Sequence, residues 1–337
     1  MVEEATEERA KPRAVDYYPD PAVALGVDVS TFISQYPQLY TGFSKSGCPV
    51  FYSKPGVLNI DGVECITTLD GILKYHWHVM QHDYKERLLQ FKKENPSFSR
   101  FECVSVLDLS GLAVSALNSR TMDIIKKQAF IDSLCFPETM NKMLVVNAPR
   151  FFSASWSIIK GFVDARTAGK IEVLSSSSAA EKKLKEIIDL DQLPKDYGGT
   201  AESTNVLLLR EAGKEAANGG RSRLVAEVMY VRSSLSYKFV LFPDEEADVW
   251  VHTRAKGGAN FKLTDADTKT PLLPLKKVIH TGNSDDNSTP TKVHLSPSRI
   301  SGATGSDKIT VKVKAEGLTT RMTSESYLLV ANIYKKE

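Results

Sequence analysis

The chain has 337 residues, 42% of them hydrophobic and 25% charged, an ordinary globular balance at a length that suits about two domains. A formal net charge of +2 offers no global field for nucleic acid, though it leaves room for a local basic patch facing anionic lipid. No apolar run reaches the ~18 residues of a membrane-spanning helix, and the opening MVEEATEERAKPR is acidic, without the apolar core of a secretory signal.

Taken in chain order, residues 1–15 are polar and are expected to lack fixed structure. VFYS (50–53) reads as a strand. Thr67, Thr68, Leu69 and Asp70 give a helix start of the capping-box type. Leu69, Ile72, Leu73, His76, Trp77, Met80, Tyr84, Leu88 and Phe91 then keep helical spacing to about Lys93, and Pro96 follows the end. ECVSVLDL (102–109) is strand-like, residues 119–134 are helical, and KMLVV (142–146) has the β-branching of a buried strand that Pro149 stops. Next comes a helix with Phe152, Ser155, Trp156, Ile159 and Val163 on one stripe, widened by Phe151, Ile158 and Phe162 until little of its circumference is polar. Such a helix needs cover on most sides, in a core or as the roof of an apolar cavity. Gly161 near its end is a candidate hinge, although ending a helix is the commoner reason for such a glycine. Asp164, Arg166, Thr167 and Lys170 crowd together before the strand-like Ile171–Leu174. An apolar lid beside a small polar cluster suits a ligand with a greasy body and a charged head.

This alternation predicts an α/β domain with a mostly parallel, twisted sheet flanked by helices. From Val206 onward the pattern changes to short strand-like runs (VLLL, AEVMYV, YKFVLF, DVWVHT, ITVKVKA, YLLVANIY), with the loops NGGR (218–221) and TGNSDDNSTP (281–290) among the gaps. An antiparallel β-sandwich of about 130 residues is expected there. The predicted division is residues 1–27 as a disordered or linking N-terminus, 28–202 as the α/β domain and 203–337 as the sandwich.

Cys48, Cys65, Cys103 and Cys135 form no CxxC pair and read as reduced core thiols, not as a disulfide framework or zinc site. His78 and His82, one turn apart beside His76, have metal-ligand spacing, but no third ligand shares their face, so histidines on a helix surface are the better reading. Asp108 ends a strand where doubly wound enzymes place a carboxylate, yet it has no His or Lys partner in the pattern and reads as a turn cap. GxSxG, P-loop, GxGxxG and HExxH motifs are missing. The sequon Asn287-Ser288-Thr289 reads as accidental without a signal peptide.

VNAPRFFSASW (146–156) and KGFVDARTAGK (160–170) resemble the signature of the CRAL-TRIO lipid-binding domain in the phosphatidylinositol/phosphatidylcholine transfer protein family. Further matches occur in order: YPQLYTGFSKSGCPVFY (36–52), VSVLDLSGL (104–112), CFPETMNKM (135–143) and LPKDYGG (193–199). The similarity covers roughly residues 28 to 200. SSLSYKF (233–239) and SESYLLVANIY (324–334) resemble, more distantly, the GOLD domain of patellin-like and supernatant-protein-factor-like proteins. Tyr237 stands where that family has Trp, and ADVWVHT (247–253) replaces its DIGF-type stretch.

The resemblance implies a non-enzymatic protein that holds one phospholipid, phosphatidylinositol favoured, in a hydrophobic pocket closed by a gate helix, with no other cofactor and no metal. Glu138, Thr167 and Lys170 match the residues that hold the inositol-phosphate head. Lys170 can place a charge on the phosphodiester, Thr167 can donate its hydroxyl and Glu138 can accept from inositol hydroxyls. Tyr40, Phe51, Ser105, Phe151, Phe152, Trp156, Ile159 and Phe162 are implied to line the pocket or its gate. The choline-binding set is eroded: Tyr40 and Ser105 fit, but Phe51, Val79 and Cys103 stand where Tyr, Tyr and Ser are usual, and a choline cage needs aromatic faces. The family's N-terminal helical region has no counterpart in the residues before the match, which predicts an exposed apolar patch from Phe32 to Tyr40. The implied partners are a phospholipid or other hydrophobic ligand, a peripheral membrane surface and a protein bound through the sandwich, with no nucleic acid. The implied place is the cytoplasm at Golgi or endosomal membranes. Alternatives are a trafficking adaptor that senses lipid and a cytosolic α/β enzyme with an accessory β domain.

Overall fold

A computed structural model describes residues 2–13, 20–96, 98, 100–208, 210, 221–230, 236–253, 259–278, 293–296, 309–317 and 326–335. The first part of the chain runs α1 (Val2–Arg13), α2 (Pro21–Leu25), α3 (Val29–Gln35), β1 (Gln38–Phe43), β2 (Pro49–Ser53), α4 (Ile60–Ile66), α5 (Leu69–His78), α6 (Tyr84–Glu94), β3 (Cys103–Asp108), α7 (Ser119–Cys135), β4 (Met140–Val146), α8 (Phe152–Ile159), α9 (Ala165–Gly169), β5 (Ile171–Val173) and α10 (Ser177–Ile187). Eight strands follow: β6 (Arg221–Tyr230), β7 (Tyr237–Leu241), β8 (Glu245–Thr253), β9 (Ala259–Asp265), β10 (Pro271–Val278), β11 (Val293–Leu295), β12 (Ile309–Gly317) and β13 (Ser326–Lys335).

Strands β1 to β5 form one sheet in sequence order, with an antiparallel β1–β2 pair and parallel pairing from β2 to β5. Parallel neighbours need crossovers, and the intervening helices supply them. Helix starts follow local chemistry. Asn118 caps α7 by accepting from the N–H groups of Arg120 and Thr121, and the Ser176 hydroxyl caps α10 through Ala179. One face of the sheet (Val50, Tyr52, Val104, Val106, Leu144, Val146) packs against Ala180 and Leu184 of α10 and against Ile188, Leu193 and Tyr197.

The remaining strands form two four-stranded antiparallel sheets, β10-β9-β12-β7 and β11-β8-β13-β6. Between them lies a core that includes Leu241, Val249, Val251, Leu263, Val311, Val313, Leu329 and Ile333, all fully buried. β10 contains Pro271 and Pro274 and is an edge strand, where a missing N–H is tolerated.

Two compact units emerge, and both are discontinuous in sequence, whereas the sequence reading divides the chain once near residue 203. One gathers residues 1–29, 36–60 and 69–208; the other gathers 30–35, 61–68 and 209–337. In the second unit the Gln35 amide donates to the Ala226 carbonyl (3.4 Å) and the Cys65 thiol donates to the Ser326 carbonyl (3.4 Å). A Cβ at Gly62 would meet the Gln35 amide and the Val228 Cγ2, so a larger residue there would have to displace the Gln35 side chain. Side chains alternate along a strand. Leu329 and Ala331 of β13 therefore face the inter-sheet core, and Leu328 and Val330 face the opposite side, where both are buried too.

Four expectations need correction. The opening stretch is the helix α1: Glu, Ala, Arg and Lys are strong helix formers, and Glu3 and Glu4 sit at its positive end. Residues 204–208, which overlap the strand-like VLLL (206–209), are helical; the Ser203 hydroxyl accepts from the Asn205 N–H and its carbonyl from the Leu207 N–H. The Phe32–Tyr40 stretch is not an exposed patch, since Phe32 is fully buried and Tyr36 to Tyr40 are half-buried. Not all the histidines lie on a helix surface, although His82 lines an accessible cleft. A π-turn at Val79–Asp83 inserts a residue between α5 and α6 and rotates the faces. His78 is buried with its ring stacked on His82 (centroids 5.1 Å), and His76 Nε2 lies 2.6 Å from Asp132 Oδ1. Residues 218–220, the 281–290 loop and the sequon lie outside the described residues.

Candidate functional site

The register of the five-stranded sheet gathers residues from all five strands into one row. Tyr40 pairs with Phe51, Phe51 with Ser105, Ser105 with Met143 and Met143 with Ile171. A second row is Ser53, Leu107, Val145 and Val173. All five members of the first row are only partly buried. On the opposite face the row Tyr52, Val106, Leu144 is 0% exposed throughout. The interior strands are thus sealed along one face and only partly covered on the other, where Ser53 and Val145 are buried but Phe51, Ser105, Leu107 and Met143 are not; this face is mostly apolar, with hydroxyls at Tyr40, Ser53 and Ser105.

At the β1 end of this row the rings form a cluster. Tyr40 lies against Phe51 (centroids 4.8 Å) and stacks on Tyr84 of α6 (6.3 Å). Arg87 donates to the Tyr40 carbonyl at 3.2 Å. Burial pushes the Tyr40 phenol well above its ordinary range, with Cys103 the next contributor. The Cys103 thiol is pushed up to about 12 by burial, against the pull of hydrogen bonds to Ser105 and Tyr40. Tyr84 also lines a cleft of about 590 Å³ with Met80, His82, Lys85, Leu88, Leu89 and Phe136. The π-turn shapes that wall, and such turns are often functional.

At the other end of the sheet, α8 lies on the same face. Phe152 joins Leu109, Val145 and Ala148, and Trp156 and Ile159 pack against this group together with Leu107, Met143, Ile171 and Val173. Phe151 and Phe162 are partly exposed. The expected cover on most sides of α8 is not found: Phe152 alone is buried, and Ile158 is 60% exposed.

Glu138, Thr167 and Lys170 come together on the short segments flanking β4 and β5. Glu138 has a left-handed backbone (φ 62°), uncommon without glycine. Its Oε2 lies 3.1 Å from Lys170 Nζ and its Oε1 lies 2.8 Å from Arg166 Nη1. Lys170 also donates to the Met140 carbonyl at 2.8 Å. Thr167 turns its hydroxyl to Asp164 Oδ2 (2.6 Å), while Asp164 Oδ1 caps α9 by accepting from the N–H groups of Arg166 and Thr167. These bonds hold the Asp164 carboxyl below the ordinary range, the Thr167 hydroxyl first among them.

Asp108 is a turn cap with additional partners. Its Oδ1 accepts from the Ser110 N–H and hydroxyl and from Asn147, and its Oδ2 accepts from the Tyr197 hydroxyl. Burial and then Asp108 push that phenol up. Among the described residues no group of three or more His, Cys, Asp or Glu is placed to hold a metal, and no helix is long and apolar enough to cross a membrane.

The sequence reading named Tyr40, Phe51 and Ser105 but missed Met143, Ile171, Leu107 and Val173, which share their face. Strand alternation through KMLVV carries the signal for Met143 and Val145. Tyr84 was read only as part of a helix stripe, and Arg166 only as part of a charged cluster.

Residues 33–199 match the family model of the CRAL/TRIO domain. This segment is a CRAL/TRIO domain. It is similar to the phosphatidylinositol/phosphatidylcholine transfer protein SFH12 of Arabidopsis thaliana, 30% identical over 177 residues, which are 51% of this chain and 31% of that protein. It is also similar to the SEC14 cytosolic factor of Candida glabrata, 31% identical over 167 residues, which are 50% of this chain and 54% of that protein. The match thus spans about half or less of the length of these curated relatives. The crystal structure of Sfh5 aligns over 54% of this chain and 62% of its own, with a TM-score of 0.43 at 22% identity.

Proposed function

We propose that the CRAL/TRIO domain holds one phospholipid against the open face of its sheet and exchanges it at membrane surfaces. The observation that carries this reading is the contrast between the sealed row Tyr52–Val106–Leu144 and the open row Tyr40–Phe51–Ser105–Met143–Ile171. An apolar face left partly accessible in the interior of a sheet is stabilised when an apolar ligand covers it. A diacyl lipid carries roughly 30 methylenes, each worth about 0.8 kcal/mol out of water, so escape through water is very slow. Exchange against an apolar protein face is nearly balanced. No covalent step is involved.

In this reading α8 is the gate. Phe152, Trp156 and Ile159 close over the sheet, Phe151 and Phe162 flank them, and the exposed Ile158 meets the interface. Lys170, Thr167 and Glu138 receive an inositol-phosphate head, and the missing tyrosines at Phe51 and Val79 disfavour choline. The β-sheets from β6 to β13 act as a GOLD-like module for a protein partner, at cytoplasmic membranes of the Golgi or endosomes. Native mass spectrometry of the purified protein, followed by transfer assays between vesicles, tests the proposal. Co-purified phospholipid and transfer of phosphatidylinositol are expected. An empty protein that moves no lipid refutes it.

A further inference from the structure

Lys170, which the proposed function assigns to the lipid phosphate, has a carboxylate oxygen 3.1 Å away. A phosphodiester arriving at this ammonium meets the negative charge of Glu138 beside it, and like charges at such range oppose binding. For Lys170 to serve a phosphate, Glu138 has to move without being left unpaired. Arg166 answers that need. It lies 2.8 Å from the other oxygen of the same carboxylate, on the turn of helix that leads to Lys170.

We propose that Arg166 is a positioning residue for the head-group site: it keeps hold of Glu138 when that carboxylate leaves Lys170 to the lipid phosphate. This rests on the head-group reading above and extends it to a residue which that reading does not use. Three observations carry it. The Glu138 carboxylate is shared, one oxygen to each cation, so it can leave one and keep the other. The Lys170 ammonium has a second anchor, the Met140 carbonyl at 2.8 Å, so it stays in place when the carboxylate departs. The Arg166 side chain is 75% exposed, so its pair with Glu138 is weak enough to adjust as lipid enters and leaves. Held by Arg166, the oxygen released from Lys170 is free to accept from inositol hydroxyls. A choline lipid carries the same phosphodiester but no inositol hydroxyls to engage the released carboxylate oxygen, so it does not open the Lys170–Glu138 pair, and a neutral lipid has no phosphate at all.

The test uses the full chain with Arg166→Ala, Arg166→Lys and Lys170→Ala. Uptake is measured from phosphatidylcholine vesicles with and without phosphatidylinositol, beside a thermal melt. Arg166→Ala is expected to weaken phosphatidylinositol uptake by about two- to fivefold, as for an exposed ion pair, to leave phosphatidylcholine uptake and the melt unchanged, and to lose its effect at high salt. Arg166→Lys should restore most of the loss. An Arg166→Ala protein that takes up phosphatidylinositol like the parent, or that loses both lipids equally, overturns the proposal. If Lys170→Ala alone lowers phosphatidylinositol uptake, only the assignment of Arg166 fails. If neither variant does, the head-group reading itself falls.

Discussion

The protein builds its sheets in two ways. In the sheet β11-β8-β13-β6, both sides of β13 are sealed: Leu329 and Ala331 on one face and Leu328 and Val330 on the other are at most 3% exposed. In the sheet β1-β2-β3-β4-β5, β3 and β4 are interior strands as well, yet only one face is sealed throughout; on the other, Ser105, Leu107 and Met143 stay partly exposed beside the buried Val145. Cover on both faces is the usual state of a parallel sheet and adds apolar burial to its stability. One open face, floored by Phe51, Leu107, Met143 and Ile171, gives up part of that stability and keeps a surface for something else to cover.

Alanine substitutions on the two faces of one strand test this difference most strongly. In β4, Leu144→Ala should cost about 3–4 kcal/mol in denaturant unfolding, and Met143→Ala on the open side about 1 kcal/mol. In β13, Leu328→Ala and Leu329→Ala should each cost about 3–4 kcal/mol, because both are 0% exposed. Equal costs at residues 143 and 144 would erase the contrast.

Acid separates the units next. Burial lowers His252 from 6.5 to about 4 in the folded state. Between those values the unfolded chain binds more protons, so stability is complete above pH 6.5 and falls as pH drops toward 4, by about 3 kcal/mol. His252→Gln should flatten that slope in the unfolding of β6–β13. His76 has the opposite sign: burial lowers its value, but Asp132 outweighs burial and raises it. Its contribution is complete below 6.5 and is lost as pH rises through the raised folded value. A steep acid loss in both units would break the comparison.

Lys170→Ala should reduce phosphatidylinositol uptake about ten- to a hundredfold, the worth of one charge-assisted hydrogen bond, and barely change choline-lipid uptake. The smallest effect is at Cys103, on the open side of β3. With its thiol at about 12, about one molecule in ten thousand is thiolate at pH 8, so iodoacetamide should label it far more slowly than a free cysteine. Rapid labelling without unfolding would mean that this part of the face opens to water.

The strand–helix alternation made the α/β half legible, because each parallel step needs a long apolar run and a helix to return. KMLVV and ECVSVLDL therefore appear almost unchanged as β4 and β3. Some strands of the other half left weaker traces: ANFKLTD and PLLPLKKV, which form β9 and β10, are broken by lysines or prolines, VHL (β11) has three residues, and the sequence reading singles out none of them. VLLL reads as strand from its side chains, but Ser203 nucleates a helix there through backbone bonds. Motif matching brought Glu138, Thr167 and Lys170 to the same place. It could not give the shared carboxylate, which depends on the left-handed turn at Glu138 and on Arg166. The row from Tyr40 to Ile171 depends on register between strands far apart in sequence, which no local pattern encodes.

The grouping of residues 30–35 and 61–68 with the strands of β6–β13 also sets an order of events during synthesis. These segments leave the ribosome long before the first of those strands. At about 5–20 residues per second, the interval between Ile66 and Arg221 is roughly ten to thirty seconds. Through that time Phe32 and Cys65, which end fully buried, have no finished sheet to lie against. The unit closes only when β13, the last strand, arrives to offer the Ser326 carbonyl to Cys65. A nascent chain stalled before residue 326 should therefore hold on to chaperones through its N-terminal segments, and release them when the last strand is made.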